Sequence, residues 1–517
     1  MKWNTRVEKA NTTIVLAAVV CIAAMMLTVG LATSATARAA PTVSLTAARS
    51  AAVANAQFSQ NWAWSHTIVV KPNGYDDTKD IQRAFNACVS YGPGCTVALV
   101  KGTYHTAQIA VVGFQGNFVG AGQGLTVVQA LPNLPLPSTT PFWAAMPGSN
   151  NPWPALFAFV GGTTAISQMT IVEPYTNPTQ GNWTEPAAPN ILGGNYTALW
   201  GAVVITGNAA SADVDHVSVF GATGDASGFN MLFGIGYTGV LLPKTWTNPY
   251  SDRIPLTGAF TVTGSLFESS LYAVSIENLV DASTEVCYNT ATQVATSVFM
   301  SDMSNSALLV CKNYGVGADD DAGVVALQAA TRTDLLPSTV YVIDNTLVGS
   351  DAADALAFAD LGPTYSPAVP STLSVVAIGN VLDLNTSCGC YPTGNPGSPV
   401  VWSFLLKSLV LSSNRIYGGL VEPGLYVLGG PATVIGNTIL GSNVGVWIDY
   451  ANNATVIGNL IKNSADYGIA VTDGSSYNVV AWNFVKNSGV DDLYWDGSGT
   501  DNVWIGNVYG TSSPPGL

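Results

Sequence analysis

The sequence predicts an all-β solenoid of parallel strands, roughly a dozen coils long, with an N-terminal capping helix. A phrase of apolar residues that ends in Asn recurs about every 23 residues. Inside each repeat, apolar residues alternate with small or polar ones, which is the period of half-buried strands. No apolar stripe of helical period recurs, so helical repeats are excluded.

The repeat is clearest near the C-terminus. Val434-Ile435-Gly436-Asn437 recurs there with its Asn at spacings of 22, 24 and 24 residues, whereas earlier spacings of 32, 35 and 34 indicate loops inserted into otherwise similar coils. Asn suits the turn because it tolerates the left-handed conformation and can hydrogen-bond the next Asn of the stack. The predicted column comprises Asn289, Asn313, Asn345, Asn380, Asn414, Asn437, Asn459, Asn483 and Asn507.

A capping helix is predicted over residues 78–89. Asp77 or Thr78 can serve as its N-cap, and Ile81, Ala84 and Phe85 fall on one face. That face is expected to cover the open end of the first coil, since exposed terminal strands invite aggregation.

The same region resembles a known superfamily. Asp76-Asp77-Thr78-Lys79-Asp80-Ile81-Gln82, then Gly92-Pro93-Gly94, then Gly102-Thr103-Tyr104 are similar to the N-terminal cap of the rhamnogalacturonase/epimerase-like pectate lyase superfamily. The resemblance implies a single-stranded right-handed parallel β-helix. It does not fix the chemistry, because that superfamily includes lyases, hydrolases, epimerases and tailspikes. Its catalytic signatures are matched only in part, by Asp213-Val214-Asp215-His216 and by Arg253-Ile254-Pro255.

The N-terminus predicts export. Lys2, Arg6 and Lys9 precede an apolar run from about 14 to 32 and small residues up to 39, the pattern of a secretory signal over 1–39. The alternative is an uncleaved membrane anchor, since the run approaches the ~20 residues that span a bilayer. Residues 40–73 then form an extension, 74–510 the β-helix and 511–517 a tail.

The charge of the mature chain excludes several partners. Removing residues 1–39 leaves 13 basic and 31 acidic residues, a net charge of 13 − 31 = −18. Nucleic acid and anionic lipid would be repelled. We therefore expect a secreted monomer that binds polysaccharide. Once the signal is cleaved, we expect no association with a membrane. A polyanionic sugar would need a local basic cleft or a cation.

The cysteines predict one disulfide. Cys88 and Cys95 bracket a short turn that a bridge can close in an oxidising compartment. Cys287 and Cys311, each two residues before its Asn, are expected to stack inside the core as free thiols, because a bridge between in-register parallel strands would be strained. The pairing of Cys388 and Cys390 stays open.

Candidate catalytic residues lie over the middle coils, where long loops provide walls. Glu277 and Asp302 end neighbouring strands and are the predicted carboxylates. Arg253 or Lys244 would overhang them from the loop at 238–257, in which Trp246 and Tyr250 can stack on sugar rings. Asp319, Asp320 and Asp321 can hold Ca²⁺, or form a plain solvated loop.

The C-terminal coils are predicted to contribute less. Alignment of the coils predicts that carboxylates line one edge of the stack, where one of two neighbours should have a raised pKa that suits acid/base work. Asp449, Asp473 and Asp496 on this edge are interpreted instead as turn residues that hydrogen-bond the backbone. Tyr426, Trp447 and Tyr494 are expected to form an outlying subsite. The predicted function is a polysaccharide lyase or glycoside hydrolase that acts on a pectin-like or other cell-wall glycan. The alternative is a non-catalytic glycan-binding or adhesive β-helix.

Overall fold

The computed structural model describes residues 66–131, 155–172, 201–207, 209–221, 233–238, 255–270, 272–294, 296–317, 323–328, 335–348, 355–365, 369–384, 399–418 and 423–517. These residues belong to one compact unit. No helix among them is both long and apolar enough to cross a membrane.

The elements follow one another in short strands. In chain order they are β1 Thr67–Val70, α1 Thr78–Tyr91, β2 Cys95–Leu99, β3 Gly102–Thr106, β4 Ile109–Val112, β5 Gln115–Val119, β6 Thr126–Ala130, β7 Ala155–Val160, β8 Thr163–Val172, β9 Gly201–Thr206, β10 Ser211–Phe220, β11 Phe233–Thr238, β12 Phe260–Thr263, β13 Leu266–Glu268, β14 Tyr272–Val280, β15 Ser283–Cys287, β16 Thr290–Val294, β17 Thr296–Ser304, β18 Ala307–Cys311, β19 Tyr314–Gly317 and β20 Val324–Gln328. They continue with β21 Ser338–Ile343, β22 Thr346–Val348, β23 Leu356–Asp360, α2 Gly362–Tyr365, β24 Leu373–Ile378, β25 Val381–Asp383, β26 Val401–Phe404, β27 Ser408–Ser412, β28 Arg415–Tyr417, β29 Leu425–Leu428, β30 Ala432–Ile435, β31 Thr438–Leu440, β32 Val444–Asp449, β33 Thr455–Ile457, β34 Leu460–Lys462, β35 Tyr467–Thr472, β36 Val479–Ala481, β37 Phe484–Lys486, β38 Asp491–Trp495, β39 Val503–Ile505 and β40 Ser512–Ser513.

Two parallel sheets build the solenoid. Among the described residues, sheet B has 14 strands and sheet A has the other 26. Sheet B comprises β4, β7, β9, β11, β14, β17, β20, β23, β26, β29, β32, β35, β38 and β40. A typical coil is one strand of sheet B followed by two of sheet A, and each strand pairs with its equivalent one coil later, as β14 pairs with β17. Such crossovers between parallel strands are right-handed. The predicted fold, a right-handed parallel β-helix, is confirmed.

The core is a continuous apolar column inside the coils. Inward residues of sheet B such as Val446, Ile469 and Leu493 are fully buried and face inward residues of sheet A such as Val434 and Val456. Because the strands are in register, each apolar side chain packs on its equivalent in the next coil.

The predicted asparagine column is confirmed, and each Asn bonds in the same way. The side-chain oxygen of Asn459 accepts hydrogen bonds from the backbone N–H (2.9 Å) and the side-chain amide (3.0 Å) of Asn437. Its own amide donates to the Val434 carbonyl and to Asn483. The backbone reason given for Asn was wrong, however. The left-handed residue is the one before each Asn, for example Gly436, Gly458 or Trp482, with φ of 65°, 65° and 58°.

Helix α1 closes the first coil as predicted. Ile81, Ala84 and Phe85 are buried under it. Asp77 occupies the N-cap position, yet its buried carboxylate accepts hydrogen bonds from the backbone N–H groups of Asn73 and His105 instead of capping the helix. These bonds tie the start of the helix to strand β3.

Two disulfides are present among the described cysteines. Cys88 and Cys95 are bridged, as predicted, with Cα atoms 5.2 Å apart. Cys287 and Cys311 are also bridged, with Cα atoms 4.6 Å apart, so the expectation of free thiols was wrong. They are not in the core either. They lie on the outer face of sheet A with Leu309 and Ile343, because residues Val286 and Val310 take the inward positions. Cys388 and Cys390 lie outside the described residues.

Candidate functional site

Sheet B presents aromatic side chains on its outer face in the C-terminal coils. The inward position of each strand is aliphatic, and the next residue points outward. In the register of the strands, Trp402 pairs with Tyr426, and Tyr426 pairs with Trp447. Tyr494 lies two coils after Trp447 and pairs with Ala470 of the coil between them. Tyr467 lies beside this column. We call Trp402, Tyr426, Trp447, Tyr467 and Tyr494 the aromatic ladder.

The rings of the ladder are half-buried, so each keeps part of its surface open to solvent. Tyr426 and Trp447 have ring centroids 4.9 Å apart. Tyr467 and Tyr494 stack at 4.3 Å. A run of apolar rings on the outside of a sheet is unusual in a soluble protein and marks a binding surface. Ring faces of this kind match the apolar C–H faces of sugars.

Three carboxylates border the ladder. Asp449, Asp473 and Asp496 end the sheet B segment of three successive coils, and we call them the aspartate cluster. Asp449 is buried and accepts hydrogen bonds from the Tyr426 hydroxyl (2.7 Å) and the Thr472 hydroxyl (2.9 Å). Trp447 donates its indole N–H to the same Thr472 oxygen at 2.9 Å. The ladder and the cluster are therefore one hydrogen-bonded unit.

The remaining two carboxylates are exposed and differ in their surroundings. The side chain of Asp473 interacts with the carboxyl group of Asp449 on the neighbouring coil. Asp496 accepts from the backbone N–H of Asp473 (2.8 Å) and from both the backbone N–H and the hydroxyl of Ser498. Asp473 thus faces another acid, whereas Asp496 faces hydrogen-bond donors.

These surroundings move the pKa values apart. The neighbouring Asp449 carboxyl group, followed by partial desolvation and the charge of Asp496, raises the pKa of Asp473. Although partial desolvation acts in the opposite direction, the hydrogen bonds from Ser498 and the Asp473 amide lower the pKa of Asp496. Burial and the bond to Asp449 also raise the pKa of Tyr426. Neighbouring carboxyls with separated pKa values are the arrangement that acid/base catalysis uses.

The predicted pair of Glu277 and Asp302 does not form on the exposed face. Glu277 is half-buried and pairs in register with Ser301, which puts Asp302 one position further along the chain. Asp302 has a left-handed backbone (φ 60°) and is fully buried. A fully buried carboxylate cannot contact a polysaccharide, so Asp302 does not share an exposed face with Glu277.

Several predicted site residues lie outside the described part of the chain. They are Lys244, Trp246, Tyr250, Arg253, Asp319, Asp320 and Asp321. Their catalytic, stacking and calcium-binding roles stay predictions, as does a catalytic role for Glu277. The connections that contain them, 239–259 and 318–323, each adjoin a strand of sheet B. Asp213 and His216, by contrast, belong to β10 in sheet A, where burial raises the pKa of Asp213 and the Thr261 hydroxyl donates to it.

One further group of possible metal ligands occurs among the described residues. Glu285, Cys287 and Cys311 place their ligand atoms within 4.8 Å of one another on the outer face of sheet A. The two sulfurs are joined as a disulfide, which removes both thiolates from the ligand set.

The sequence contained a signal for the aspartate cluster that motif reasoning missed. Asp449, Asp473 and Asp496 are 24 and 23 residues apart, the period of the repeat. Tyr426 lies one coil before Trp447 and Asp449, which share strand β32. Carboxylates were expected along one edge of the stack, yet these three were interpreted as turn residues. Aligning the coils by this period predicts that the three carboxylates and the aromatic residues share one face.

Comparison with known proteins supports the fold. A family model described as periplasmic copper-binding protein (NosD) matches residues 405–513, about a fifth of the chain. Bacteriophage phi29 gene product 12 superposes with a TM-score of 0.53 at 12% identity, over 84% of this chain and 55% of that one. The A-module of an Azotobacter vinelandii mannuronan C-5 epimerase superposes with a TM-score of 0.42 at 13% identity, over 85% of this chain and 94% of that one. The catalytic unit of a GH87 α-1,3-glucanase from Streptomyces thermodiastaticus superposes with a TM-score of 0.45 at 11% identity, over 87% of this chain and 70% of that one.

These likenesses extend to the fold and no further. A sequence search of curated proteins finds no match. The segment matched by the copper-binding family, 405–513, contains no Cys, His or Met. Copper is bound in proteins chiefly by thiolate, thioether and imidazole groups. The side chains of this segment therefore do not fit a copper site.

Proposed function

We propose that this chain is an exported polysaccharide-active protein that binds glycan along the aromatic ladder and cleaves it by glycoside hydrolysis at the aspartate cluster. The supporting observation is the contact between the two: Tyr426 and Trp447 are hydrogen-bonded into the network of Asp449. Two disulfides are compatible with an oxidising compartment outside the cytoplasm.

Asp473 and Asp496 have complementary roles in this proposal. Asp473, whose raised pKa keeps it protonated to higher pH, donates a proton to the oxygen of the leaving sugar. Asp496, held ionised by its donors, acts on the anomeric carbon or on a water molecule. The backbone N–H of Asp473 donates to the Asp496 carboxylate at 2.8 Å, so the two residues are close enough to act on one glycosidic bond.

A non-catalytic glycan-binding protein is the second candidate. Both oxygens of Asp496 already accept hydrogen bonds from its own turn and from the preceding coil. Such bonding is also what a purely structural turn residue shows. In that case the aromatic ladder binds the glycan and the aspartates only hold the coils together.

The test is an activity screen of the full chain on plant and microbial polysaccharides. Release of reducing ends without absorbance near 235 nm indicates hydrolysis, absorbance there indicates a lyase, and binding without either indicates the second candidate. Asp473→Asn is expected to lower turnover on the order of 10²-fold or more. Asp501→Asn, an exposed Asp outside the cluster, is the matched control and is expected to retain activity. Equal activity of the two variants would remove Asp473 from catalysis.

A further inference from the structure

The substrate class follows from the charge on the same face. Building on the proposed function, we infer that the aromatic ladder accepts a neutral or amino-bearing glycan and rejects polyuronates. The strands of sheet B, the carboxylates beside them and the positions of the basic residues support this inference independently of any likeness to other proteins.

Sheet B has no basic side chain. None of its 14 described strands contains Lys, Arg or His, although six acidic residues occur in them. A polyuronate carries a carboxylate on every sugar, and a protein binds such a chain with cationic side chains or with a metal ion between the carboxylates. The surface of these strands provides no cationic side chain.

Carboxylates flank the aromatic ladder on both sides. The aspartate cluster lies at the C-terminal ends of its strands, and Asp466 and Asp491 lie at the N-terminal ends of β35 and β38. Burial and the charges of Tyr494, Asp466 and Asp491 together raise the pKa of Tyr467. A sugar stacked on the ladder thus lies between two rows of negative charge, which repels an anion and attracts an ammonium group.

The basic residues of the same coils are placed elsewhere. Arg415, Lys462 and Lys486 belong to strands β28, β34 and β37 of sheet A, and Lys462 lies over the Phe484 ring at 5.3 Å. Lys407 is exposed in the turn after β26, the strand of Trp402 at the first position of the ladder, and is two sheet B strands away from Asp449. At ~4.8 Å per strand, that is about 10 Å, a distance at which salt screens much of the interaction.

The test compares glycans that share a backbone and differ in charge at one substituent, which is a carboxylate or its ester, or an acetamide or a free amine. The pairs are oligogalacturonate with its full methyl ester, oligomannuronate with its propylene glycol ester, and N-acetylglucosamine oligomers with glucosamine oligomers. Binding to the full chain is measured at 20 mM and 500 mM salt. In any pair that binds, we expect the less negative member to bind on the order of tenfold more tightly at low salt, with a smaller difference at high salt.

Two variants separate the possible failures. Trp447→Ala should weaken every ligand of the ladder, and Asp473→Asn combined with Asp496→Asn should reduce the preference against uronates severalfold. Tighter binding of a polyuronate than of its ester, lost in Trp447→Ala, would overturn the inference and leave the proposed function standing. If no glycan of a wider neutral and charged panel binds in a Trp447-dependent way, the proposed function fails and the inference fails with it.

Discussion

Replacing Asn459 by Ala should destabilise the solenoid far more than replacing an exposed Asn of the same coil. Asn459 is buried in the middle of the C-terminal asparagine column, and its side chain makes four hydrogen bonds shorter than 3.1 Å. Two of them satisfy the backbone and side-chain amides of Asn437. The others satisfy the Val434 carbonyl and link to Asn483.

The magnitude follows from what the truncation leaves behind. The backbone N–H of Asn437 loses its acceptor inside the turn, which costs about 1–3 kcal/mol for a buried unsatisfied group. The three other hydrogen bonds contribute about 1 kcal/mol each. The sum is roughly 4–6 kcal/mol, a large fraction of a typical unfolding free energy of about 5–15 kcal/mol. Asn463→Ala is the control, because Asn463 is exposed and its side chain bonds only with Asn487 at 3.2 Å. Its left-handed backbone (φ 59°) makes Ala cost about 1–2 kcal/mol there, still well below the loss expected for Asn459.

Urea unfolding followed by circular dichroism measures the difference, and hydrogen exchange at the Asn437 amide locates it. A solenoid can unfold in segments, so the local exchange rate is the more direct readout. We expect Asn459→Ala to expose that amide and to lower the unfolding midpoint strongly, while Asn463→Ala loses only the about 1–2 kcal/mol of its left-handed backbone and leaves the Asn437 amide protected. Equal midpoints and equal protection in the two variants would show that the asparagine column does not stabilise the stack.

Three further outcomes are expected. Trp447→Ala should weaken glycan binding about tenfold, whereas Trp482→Ala, on an exposed turn away from sheet B, should not; equal affinities would exclude the aromatic ladder as the binding surface. Mass spectrometry of the intact, unreduced protein should show Cys287 and Cys311 oxidised, and a mass with both thiols free would contradict the bridge. The bridge joins residues 24 apart in sequence, and its removal by Cys311→Ala should lower the free energy of unfolding by about 3 kcal/mol. Because folding raises the pKa of Asp473, its contribution to stability is greatest at low pH and is lost as the pH rises above about 4. Asp473→Asn should therefore flatten the fall in melting temperature over that range, and an unchanged pH profile would contradict the raised pKa.

The repeat allowed the fold to be predicted because it carries the same information many times. The asparagine column, the capping helix and the Cys88–Cys95 bridge are confirmed at the predicted positions. In each case a short-range pattern decided the outcome: a spacing of about 23 residues, an amphipathic run of 14 residues, or two cysteines across one turn.

The errors have a shared physical cause, which is register. Side chains alternate between the two faces of a strand, so an error of one residue moves a group from the outer face to the interior. Cys287 was placed in the core and lies outside it, next to the inward Val286. Asp302 was placed beside Glu277 and lies one position further along β17, with a left-handed backbone and a buried side chain. No local pattern in either segment marks which of two neighbouring positions points inward.

Register also explains why the most coherent group of side chains lies where loops are short. In-register parallel stacking converts a sequence spacing of 22–24 residues into a step of ~4.8 Å in space. Tyr426, Trp447, Asp449 and Asp473 thus become neighbours although they come from three successive coils. A binding site on a solenoid can consist of such columns without any contiguous motif. The partial match of this chain to known catalytic signatures is therefore no argument against a site. The decisive comparison is between equivalent positions of successive coils, and in the C-terminal coils those positions bring aromatic rings and carboxylates together.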